Sequence, residues 1–355
     1  MQREHQLRLT EALKAGRSLD GAAFQIPAER YRDAAWFERE RRLFDLPRIV
    51  AASSELAAGA CMPIGSTLLA RDREGELRAF ANACRHRGTR LVDAPCAAKA
   101  LTCPYHGWTY GLDGTLLHVP HAETFAGIDL AQRGLRPQPV TERAGLVWLG
   151  GAPHVDDAIA ADLAALELAD HVVFRRGHTT RRCNWKLVIE AFLDGYHIRV
   201  LHRDSIYRFF VDASAIGEPV GRHIRAVAGR RALLDASVTS TSPLRELATP
   251  NLIIFPATVI IEHPDSVSLL QVTPQAPDLT TWDHLMLVPR DRAADTDHWT
   301  RSWALLEETV FQREDLWVCE QIQRSLAAHA VDELLFGSLE APVRWFHDAI
   351  AAELG

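Results

Sequence analysis

Four side chains that commonly bind metals, grouped in two short pairs, constrain this chain more than any other feature of its sequence. Cys84 and His86 form a Cys-x-His pair. After a gap of 16 residues (87–102), Cys103 and His106 form a Cys-x-x-His pair. Two thiolates and two imidazoles at these spacings can close a four-ligand metal site from two loops. Zinc accepts such ligands, and so does one type of iron–sulfur centre.

The distribution of ligands between the two loops favours the iron–sulfur centre. Each loop supplies one cysteine and one histidine, whereas zinc sites usually take two like ligands from each loop. In a Rieske [2Fe–2S] cluster two cysteines bind one iron and two histidines bind the other. Gly88 and Gly107 follow the two pairs and allow the backbone to turn back towards the metal. We therefore predict a Rieske cluster, with a zinc-binding interaction protein as the rival interpretation.

Length and composition set wider limits on the function. The chain has 355 residues, enough for two domains, and its net charge of -7 argues against a nucleic-acid-binding surface. The sequence has no apolar run as long as a membrane span, and residues 1–19 lack the apolar segment of a signal peptide. Six scattered cysteines do not suit a secreted disulfide scaffold. We therefore expect a cytoplasmic protein that binds neither nucleic acid nor a membrane.

Hydrophobic patterns predict a small all-β domain ahead of an α+β domain. Residues 4–15 and 29–45 have helical periodicity. Short alternating runs follow, broken by Gly, Pro and Asp, and Gly114 belongs to a predicted hairpin turn. The predicted strands of this part are 66–71, 77–82, 101–103, 108–110, 116–119 and 146–149. We assign 1–45 to N-terminal helices, 46–152 to the all-β domain and 153–355 to the α+β domain.

The second half of the chain alternates between helical and strand patterns, which is typical of an antiparallel sheet covered by helices. The predicted helices are 158–169, 184–202, 298–328 and 340–354. The predicted strands are 172–182, 252–261, 267–273 and 282–288. Residues 205–245 have little periodicity, and we expect loops and a lid there.

A second group of candidate metal ligands lies in this half of the chain. Asp194 and His197 are three residues apart and would share one face of a helix. His202 is five residues further on, so an ideal helix would turn it away from that face. If both histidines bind one metal, the helix must bend or break near residues 199–201. Taken alone, each of these histidines would be read as an ordinary helix residue.

Asp315 is the best candidate for a third ligand. It shares a helix face with Cys319 and apolar neighbours, and an acid buried there must be paired or metal-bound. An ion pair with Arg313 or Arg324 is the simpler alternative. Glu314 is expected to point about 100° away from Asp315, because an α-helix has about 3.6 residues per turn. Two histidines and one carboxylate form the facial triad of non-haem Fe(II) oxygenases.

With both groups of ligands described, the chain resembles the catalytic α subunit of Rieske non-haem iron oxygenases, also called aromatic-ring-hydroxylating oxygenases. The resemblance extends over most of the chain. It is carried by the cluster loops, the Asn-Trp-Lys segment 184–186, the Asp-Gly-Tyr-His-x4-His motif 194–202 and the late helix with Asp315 and Glu320. The resemblance implies a helix-grip (START-like) fold for the second domain, with the N-terminal helices packed on it.

The resemblance also implies a role for each candidate residue. Cys84 and Cys103 would hold the inner iron of the cluster, and His86 and His106 the outer iron. The mononuclear Fe(II) ligands would be His197, His202 and Asp315. Asp194 would link His197 to a cluster histidine of the neighbouring subunit in a ring-shaped homotrimer.

The implied function is that of a terminal oxygenase. A separate NAD(P)H-dependent reductase, with or without a ferredoxin, would supply electrons, since the chain has no Gly-rich nucleotide loop. O2 would then hydroxylate, or oxidatively demethylate, a hydrophobic and preferably aromatic small molecule. The expected lining of the cavity is Phe192, Phe209, Phe210, Leu252 and Ile254. The alternative is an electron carrier or ligand-binding protein without oxygenase activity.

Three positions depart from the patterns of the family. Ala191 stands where many members carry asparagine near the iron. Members that act on quaternary ammonium compounds often carry glutamate at the positions of Gly195 and Arg199. We therefore expect a substrate other than a betaine or carnitine.

Overall fold

The computed structural model describes residues 1–19, 21–151 and 157–355. Its internal contacts divide the chain into two units. One unit, here called the β domain, is Pro47–His154. The other, here called the α+β domain, combines Met1–Leu46 with Val155–Gly355. The predicted boundary between residues 152 and 153 lies outside the described residues.

The β domain consists of short antiparallel strands with apolar side chains between them. In the described part of the chain they form a five-stranded sheet and two three-stranded sheets. The five-stranded sheet has the order Pro137–Gln138, Leu77–Ala81, Thr67–Arg71, Ala60–Ile64 and Cys96–Ala97. The other two are Val140–Arg143, Leu146–Leu149 and Arg48–Ala52, and Leu101–Thr102, Thr109–Tyr110 and Leu116–His118. Short 3-10 turns are Ser53–Glu55, Ala122–Phe125 and Leu130–Gln132.

All six strands predicted for the β domain are present, but the sequence missed others. Arg48–Ala52 is buried at four successive positions, so it lacks the alternation that identifies a half-exposed strand. Cys96–Ala97 and Pro137–Gln138 have two residues each, too few to form a pattern. Strands of this kind take their conformation from their neighbours in the sheet rather than from their own residues.

The α+β domain is built on one antiparallel sheet, seven-stranded in the described part of the chain. Its strands, in spatial order, are His171–Arg181, Leu279–Pro289, Val267–Ala276, Thr258–Glu262, Ala248–Ile254, His223–Arg230 and Phe210–Val220. The expectation of loops over 205–245 is wrong, because two long strands lie there: the edge strand Phe210–Val220 and its neighbour His223–Arg230. The predicted strand 252–261 is in fact a hairpin that turns at residues 255–257.

Helices cover this sheet, and a two-stranded ribbon, Phe24–Pro27 with Glu333–Phe336, joins the two chain segments of the domain. The N-terminal helix packs on the strands Phe210–Val220 and His223–Arg230. The α-helices are Arg3–Lys14, Glu29–Arg32, Ala34–Glu40, Asp157–Ala164, Trp185–Ala191, Ile198–Leu201, Ala232–Asp235, Leu244–Leu247, Thr296–Trp303, Leu316–Ala327 and Ala341–Leu354. Short 3-10 turns are Arg41–Asp45, Leu168–Asp170, Tyr207–Phe209, Arg290–Arg292 and Ser338–Glu340. None of the described helices is long and apolar enough to cross a bilayer.

The helix predicted over 298–328 is present but is not a uniform α-helix. It runs over 296–327 and is called here the long helix; its middle part, Ala304–Asp315, is π-helical. Val310, Phe311 and Leu316 on this helix are buried against apolar side chains of the sheet. π-helical turns are frequent at functional sites, because the wider turn changes the direction of the side chains. The predicted fold, a small all-β domain ahead of an α+β domain with an antiparallel sheet, is confirmed.

Candidate metal centres

The two candidate histidines of the α+β domain lie on either side of a short helix. Asn184 caps the helix Trp185–Ala191 by accepting the Lys186 N–H at 3.0 Å. This helix ends at Ala191. Between the two histidines, the turn Ile198–Leu201 is helical. The predicted break near 199–201 therefore lies earlier, at residues 192–197. The Asp194 carboxylate accepts the N–H of Tyr196 at 2.5 Å, a local bond that competes with helix formation.

Three side chains, His197, His202 and Asp315, converge on one point beside the turn Ile198–Leu201. The Nε2 atoms of His197 and His202 lie 3.1 Å apart. Asp315 Oδ1 lies 3.5 Å from Nε2 of His197 and 3.1 Å from Nε2 of His202. Among the described residues these three form a group whose ligand atoms all lie within 4.8 Å of one another. The structure therefore brings together all three side chains that the sequence proposed as ligands of one metal.

The buried carboxylate of Asp315 shows that this group suits a cation. Asp315 is 3% exposed, and its Oδ1 atom receives no hydrogen bond from the described part of the chain. A buried carboxylate oxygen without a donor is costly. A metal ion bound by Asp315, His197 and His202 would remove that cost. Two histidines and one carboxylate also match the ligands of a mononuclear non-haem iron.

The remaining ring nitrogens of the two histidines are held by other carboxylates. His197 Nδ1 lies 3.2 Å from Asp194 Oδ2, and His202 Nδ1 lies 2.7 Å from Glu314 Oε2. Glu314 also accepts a hydrogen bond from the Ser205 hydroxyl at 2.7 Å. Carboxylates of this kind fix the tautomer and the orientation of metal-binding imidazoles.

The sequence missed the role of Glu314, because the prediction assumed a regular α-helix. Instead of pointing away from Asp315, Glu314 reaches the opposite nitrogen of the same imidazole. Both acids end the π-helical part of the long helix, where side-chain directions differ from those of an α-helix. The available signal in the sequence was that Asp315, the proposed ligand, directly follows a second acid, Glu314.

The charge balance at His202 agrees with a cation site. Burial lowers the pKa of this imidazole, but the carboxylates of Asp315 and Glu314 outweigh that effect and raise the pKa above its ordinary value. The pocket thus favours positive charge at this position. A metal ion supplies that charge without protonating the imidazole.

The other four candidate ligands lie on two similar turns of the β domain. The backbone carbonyl of Cys84 accepts the N–H of Gly88 at 2.9 Å, and the backbone carbonyl of Cys103 accepts the N–H of Gly107 at 3.0 Å. Both glycines have positive φ angles, 82° and 70°, so side chains are disfavoured there. The two turns place a buried cysteine at the base of each loop.

The histidines lie nearer the surface than the cysteines. His86 is half-buried and His106 is exposed, and their ring centroids are 4.7 Å apart. The ring of His86 stacks on Trp108, with an angle of 7° between the planes. Two buried thiols with two outer imidazoles fit the donor set of a Rieske cluster.

Hydrogen-bond donors surround the two sulfur atoms. The Tyr110 hydroxyl lies 3.3 Å from Cys84 Sγ and accepts the Arg85 N–H at 2.9 Å, so its proton is directed at the sulfur. Burial raises the pKa of the Cys103 thiol, but backbone N–H groups of Tyr105 and His106 outweigh it and lower the pKa. At Cys84 burial outweighs the donors and raises the pKa of the thiol. The donors thus stabilise the thiolate, the form that binds iron, at Cys103. The contact of Tyr110 with the sulfur was not predicted from the sequence.

A cavity of about 220 Å³ opens beside the His197, His202 and Asp315 side chains. Its walls are mainly aromatic and aliphatic, and they include Ala191 and the predicted residues Phe192, Phe209 and Phe210. The prediction of Leu252 and Ile254 is wrong. Asn251 lines the cavity instead, and because side chains alternate along a strand, Leu252 and Ile254 face the opposite side.

A two-histidine, one-carboxylate site beside an apolar cavity, with a two-cysteine, two-histidine site in a separate domain, defines a class of proteins with two iron centres. Comparison with protein families agrees. Residues 168–355 match the family "Ring hydroxylating alpha subunit (catalytic domain)", and residues 47–132 match the "Rieske [2Fe-2S] domain". The chain belongs to the ring-hydroxylating α-subunit family. Membership implies a Rieske cluster and a mononuclear iron as cofactors.

Individual relatives are similar over part of the chain. The carnitine monooxygenase oxygenase subunit of Escherichia coli K12 is 37% identical over 196 residues, which cover 51% of this chain and 52% of the relative. The glycine betaine monooxygenase oxygenase subunit of Chromohalobacter salexigens is 38% identical, over 39% of this chain and 33% of the relative. The chain thus spans about half the length of the first of these curated relatives.

Solved structures share the fold over nearly the whole chain. The quaternary ammonium Rieske monooxygenase CntA superposes with a TM-score of 0.80 at 21% identity, covering 97% of this chain and 98% of that one. Naphthalene 1,2-dioxygenase from Rhodococcus sp. superposes with a TM-score of 0.76 at 19% identity, covering 99% and 97%. At these identities the likeness establishes the fold alone.

Proposed function

We propose that the chain is the terminal oxygenase component of a Rieske oxygenase system. It uses O2 and electrons from a separate NAD(P)H-dependent reductase to hydroxylate, or oxidatively demethylate, a small organic molecule. The observation that supports this most strongly is the convergence of His197, His202 and Asp315 beside an apolar cavity. Three protein ligands leave coordination positions open, as oxygen activation at iron requires.

In this proposal each centre is held by the residues that the sequence suggested. The Rieske cluster is held by Cys84, His86, Cys103 and His106, and the mononuclear iron by His197, His202 and Asp315. When bound, the cluster supplies single electrons and the iron supplies the activation of O2. The protein residues orient these ligands, and the phenylalanine walls of the cavity exclude water from the substrate.

Counting metal and sulfide in purified protein tests the assignment. About three irons and two sulfides per chain, with a Rieske visible spectrum, are expected, because the cluster holds two irons and the second site one. About two irons per chain would indicate an electron carrier, and a colourless zinc protein would overturn both assignments. A surrogate reductase with NADH and a substrate panel then measures product formation.

Asp194 is proposed as the link between the two kinds of centre, across the subunits of a homotrimer. Its carboxylate contacts His197, and its side chain remains 19% exposed. The chain nearby exposes large apolar side chains, Tyr196 at 65% and Val200 at 79%. These features support a neighbouring subunit that covers Asp194.

The variant Asp194→Ala tests this link. It is expected to keep its iron content and a reducible cluster but to lose at least 90% of turnover, as measured by single-turnover and steady-state assays. Asp204→Ala, which removes an acid with 84% side-chain exposure, serves as the control. Turnover near the parent level in Asp194→Ala would exclude a linking role.

A second candidate substrate class is the quaternary ammonium compounds, which the names of the curated relatives favour. Arg199, one of the two departures from the sequence pattern of this class, is exposed and paired with Asp212 at 2.8 Å. Arg199 is not among the described residues that line the cavity. Formaldehyde release from glycine betaine or carnitine, dependent on O2 and reductase, would establish demethylation. The preference for an aromatic substrate stays a prediction.

A further inference from the structure

A guanidinium group lies in the wall of the proposed substrate cavity. Arg230 ends the strand His223–Arg230 and lines the cavity together with the metal-binding candidates. Its Nη1 atom donates to the Thr249 hydroxyl at 3.2 Å. Its Cζ atom lies 5.3 Å from the ring centroid of Phe210 and 5.6 Å from that of Phe209. The charge therefore lies near two aromatic rings, and among the described residues Thr249 is the hydrogen-bond partner of the guanidinium.

Among the described residues, Arg230 lacks a carboxylate partner of the kind that Arg225 has. In the part of the chain that the structure describes, no carboxylate oxygen lies within the 4.0 Å limit of an ion pair with Arg230. By contrast, Arg225 lies 2.6 Å from Asp162. Burial lowers the pKa of Arg230 by more than the charge of Glu246 raises it. The guanidinium is thus partly desolvated without direct compensation, which is unfavourable in the absence of a bound anion.

The other polar groups of the cavity do not neutralise this charge. Asp265 lies 2.6 Å from Nε2 of His298, so its carboxylate already has a partner. Burial, His284 and the charges of Arg245 and Arg230 lower the pKa of His263 to about 3, so this imidazole is neutral. Asp194 and Asp315 also line the cavity, but both contact the histidines of the proposed metal site. Arg230 is therefore the one guanidinium among the described residues that line the cavity, and none of these carboxylates forms an ion pair with it.

We infer that Arg230 binds a carboxylate of the substrate, and that the substrate is a small monoanion or zwitterion of about the size of a single ring. The inference rests on the proposed function, which makes this cavity the substrate site. The size follows from the volume of about 220 Å³. A cavity of about 150 Å³ accepts benzene, so this one has room for one ring and a carboxylate. Arginine can bind a carboxylate through two parallel hydrogen bonds.

Binding to iron-loaded protein without reductant tests the inference independently of turnover. Isothermal titration calorimetry compares benzoate with benzyl alcohol, and glycine betaine with choline. In each pair the two ligands differ chiefly in the carboxylate. In at least one pair the carboxylate is expected to bind at least tenfold more tightly. Arg230→Gln is expected to abolish that preference, whereas Arg230→Lys retains part of it.

Arg231→Gln is the matched control, because the Arg231 side chain is exposed and lies over the Tyr207 ring, 5.3 Å from its centroid. Iron content and thermal unfolding verify that each variant is folded. Equal binding within both pairs, or equal loss in Arg230→Gln and Arg231→Gln, would overturn the inference. A preference for carboxylates in a protein without oxygenase activity would instead count against the proposed function alone.

Discussion

At the scale of single residues, the mononuclear site depends on two carboxylates that are not among its proposed metal ligands. Asp194 and Glu314 each hold one imidazole through the nitrogen that faces away from the convergence point. Glu314 has the shorter contact and a second donor, Ser205, which fixes its own position. Because the orientation of His202 depends on Glu314, the affinity for iron should depend on it too.

We therefore predict that Glu314→Ala lowers the affinity for Fe(II) at the mononuclear site by about 10- to 100-fold, as is usual when the outer partner of a metal-bound histidine is removed. Equilibrium dialysis against Fe(II), with sulfide measured as a count of the Rieske cluster, gives the affinity. Glu308→Ala, an exposed acid on the same π-helical segment, should bind iron like the parent. Equal affinities in the two variants would contradict the role of Glu314.

The sequence was informative about these residues where it specified both chemistry and spacing. His197 and His202 were identified because a motif placed them five residues apart, and Asp315 because an acid on an apolar helix face needs a partner. Glu314 and Arg230 were not identified. Their roles depend on the π-helical turn and on the sheet, which bring together parts of the chain that are distant in sequence.

At the scale of elements, tight turns hold the small sheets of the β domain together. Gly114 has a φ angle of +86°, and a Cβ atom added there would lie 2.4 Å from the Phe80 ring. Gly75 has a similar φ angle of +93°, but an added Cβ atom would meet nothing within 4 Å. The two positions therefore separate backbone strain from steric overlap.

Gly75→Ala is expected to destabilise the β domain by about 1 kcal/mol, the usual cost of a left-handed conformation in a residue other than glycine. Gly114→Ala carries the same strain and displaces the buried Phe80 ring as well, so its loss of stability should be clearly larger. Urea unfolding followed through the visible absorbance of the cluster compares the two variants. Equal unfolding midpoints would show that the contact with Phe80 carries no cost.

Elements with their own hydrophobic period were predicted well from the sequence. The helix Ala341–Leu354 and the strand Leu146–Leu149 lie within one residue of their predicted bounds. The strand Phe210–Val220 was missed because most of its residues are half-buried on both faces, which leaves little contrast between them. Its conformation comes from pairing with His223–Arg230, a contact that a local pattern does not contain.

At the scale of the whole molecule, two neutral histidines, the buried His284 and the half-buried His263, make the stability depend on pH. Burial is the main cause that lowers the pKa of both His263, to about 3, and His284. In the unfolded chain each imidazole titrates near its ordinary pKa of about 6.5. Below that pH the unfolded state binds more protons than the folded state, so the free energy of unfolding falls as the pH is lowered.

We predict that the urea midpoint of the parent falls between pH 7.5 and pH 5.5 by more than that of His263→Gln. Each unprotonated histidine contributes at most about 1.4 kcal/mol per pH unit below its unfolded pKa. The difference between parent and variant should therefore change little above about pH 6.5 and decrease below it. A constant difference would mean that His263 has the same pKa in the folded and the unfolded protein, which would contradict the prediction.

The ribbon that pairs Phe24–Pro27 with Glu333–Phe336 has a consequence for biosynthesis. A ribosome that adds about 5 to 20 residues per second needs roughly 15 to 60 seconds to make the intervening chain of about 300 residues. During that interval the first strand of the ribbon is outside the exit tunnel without its partner strand. The whole of Pro47–His154 emerges in the same interval. Insertion of the iron–sulfur cluster therefore has time to occur on the nascent chain, before the oxygen-activating site exists.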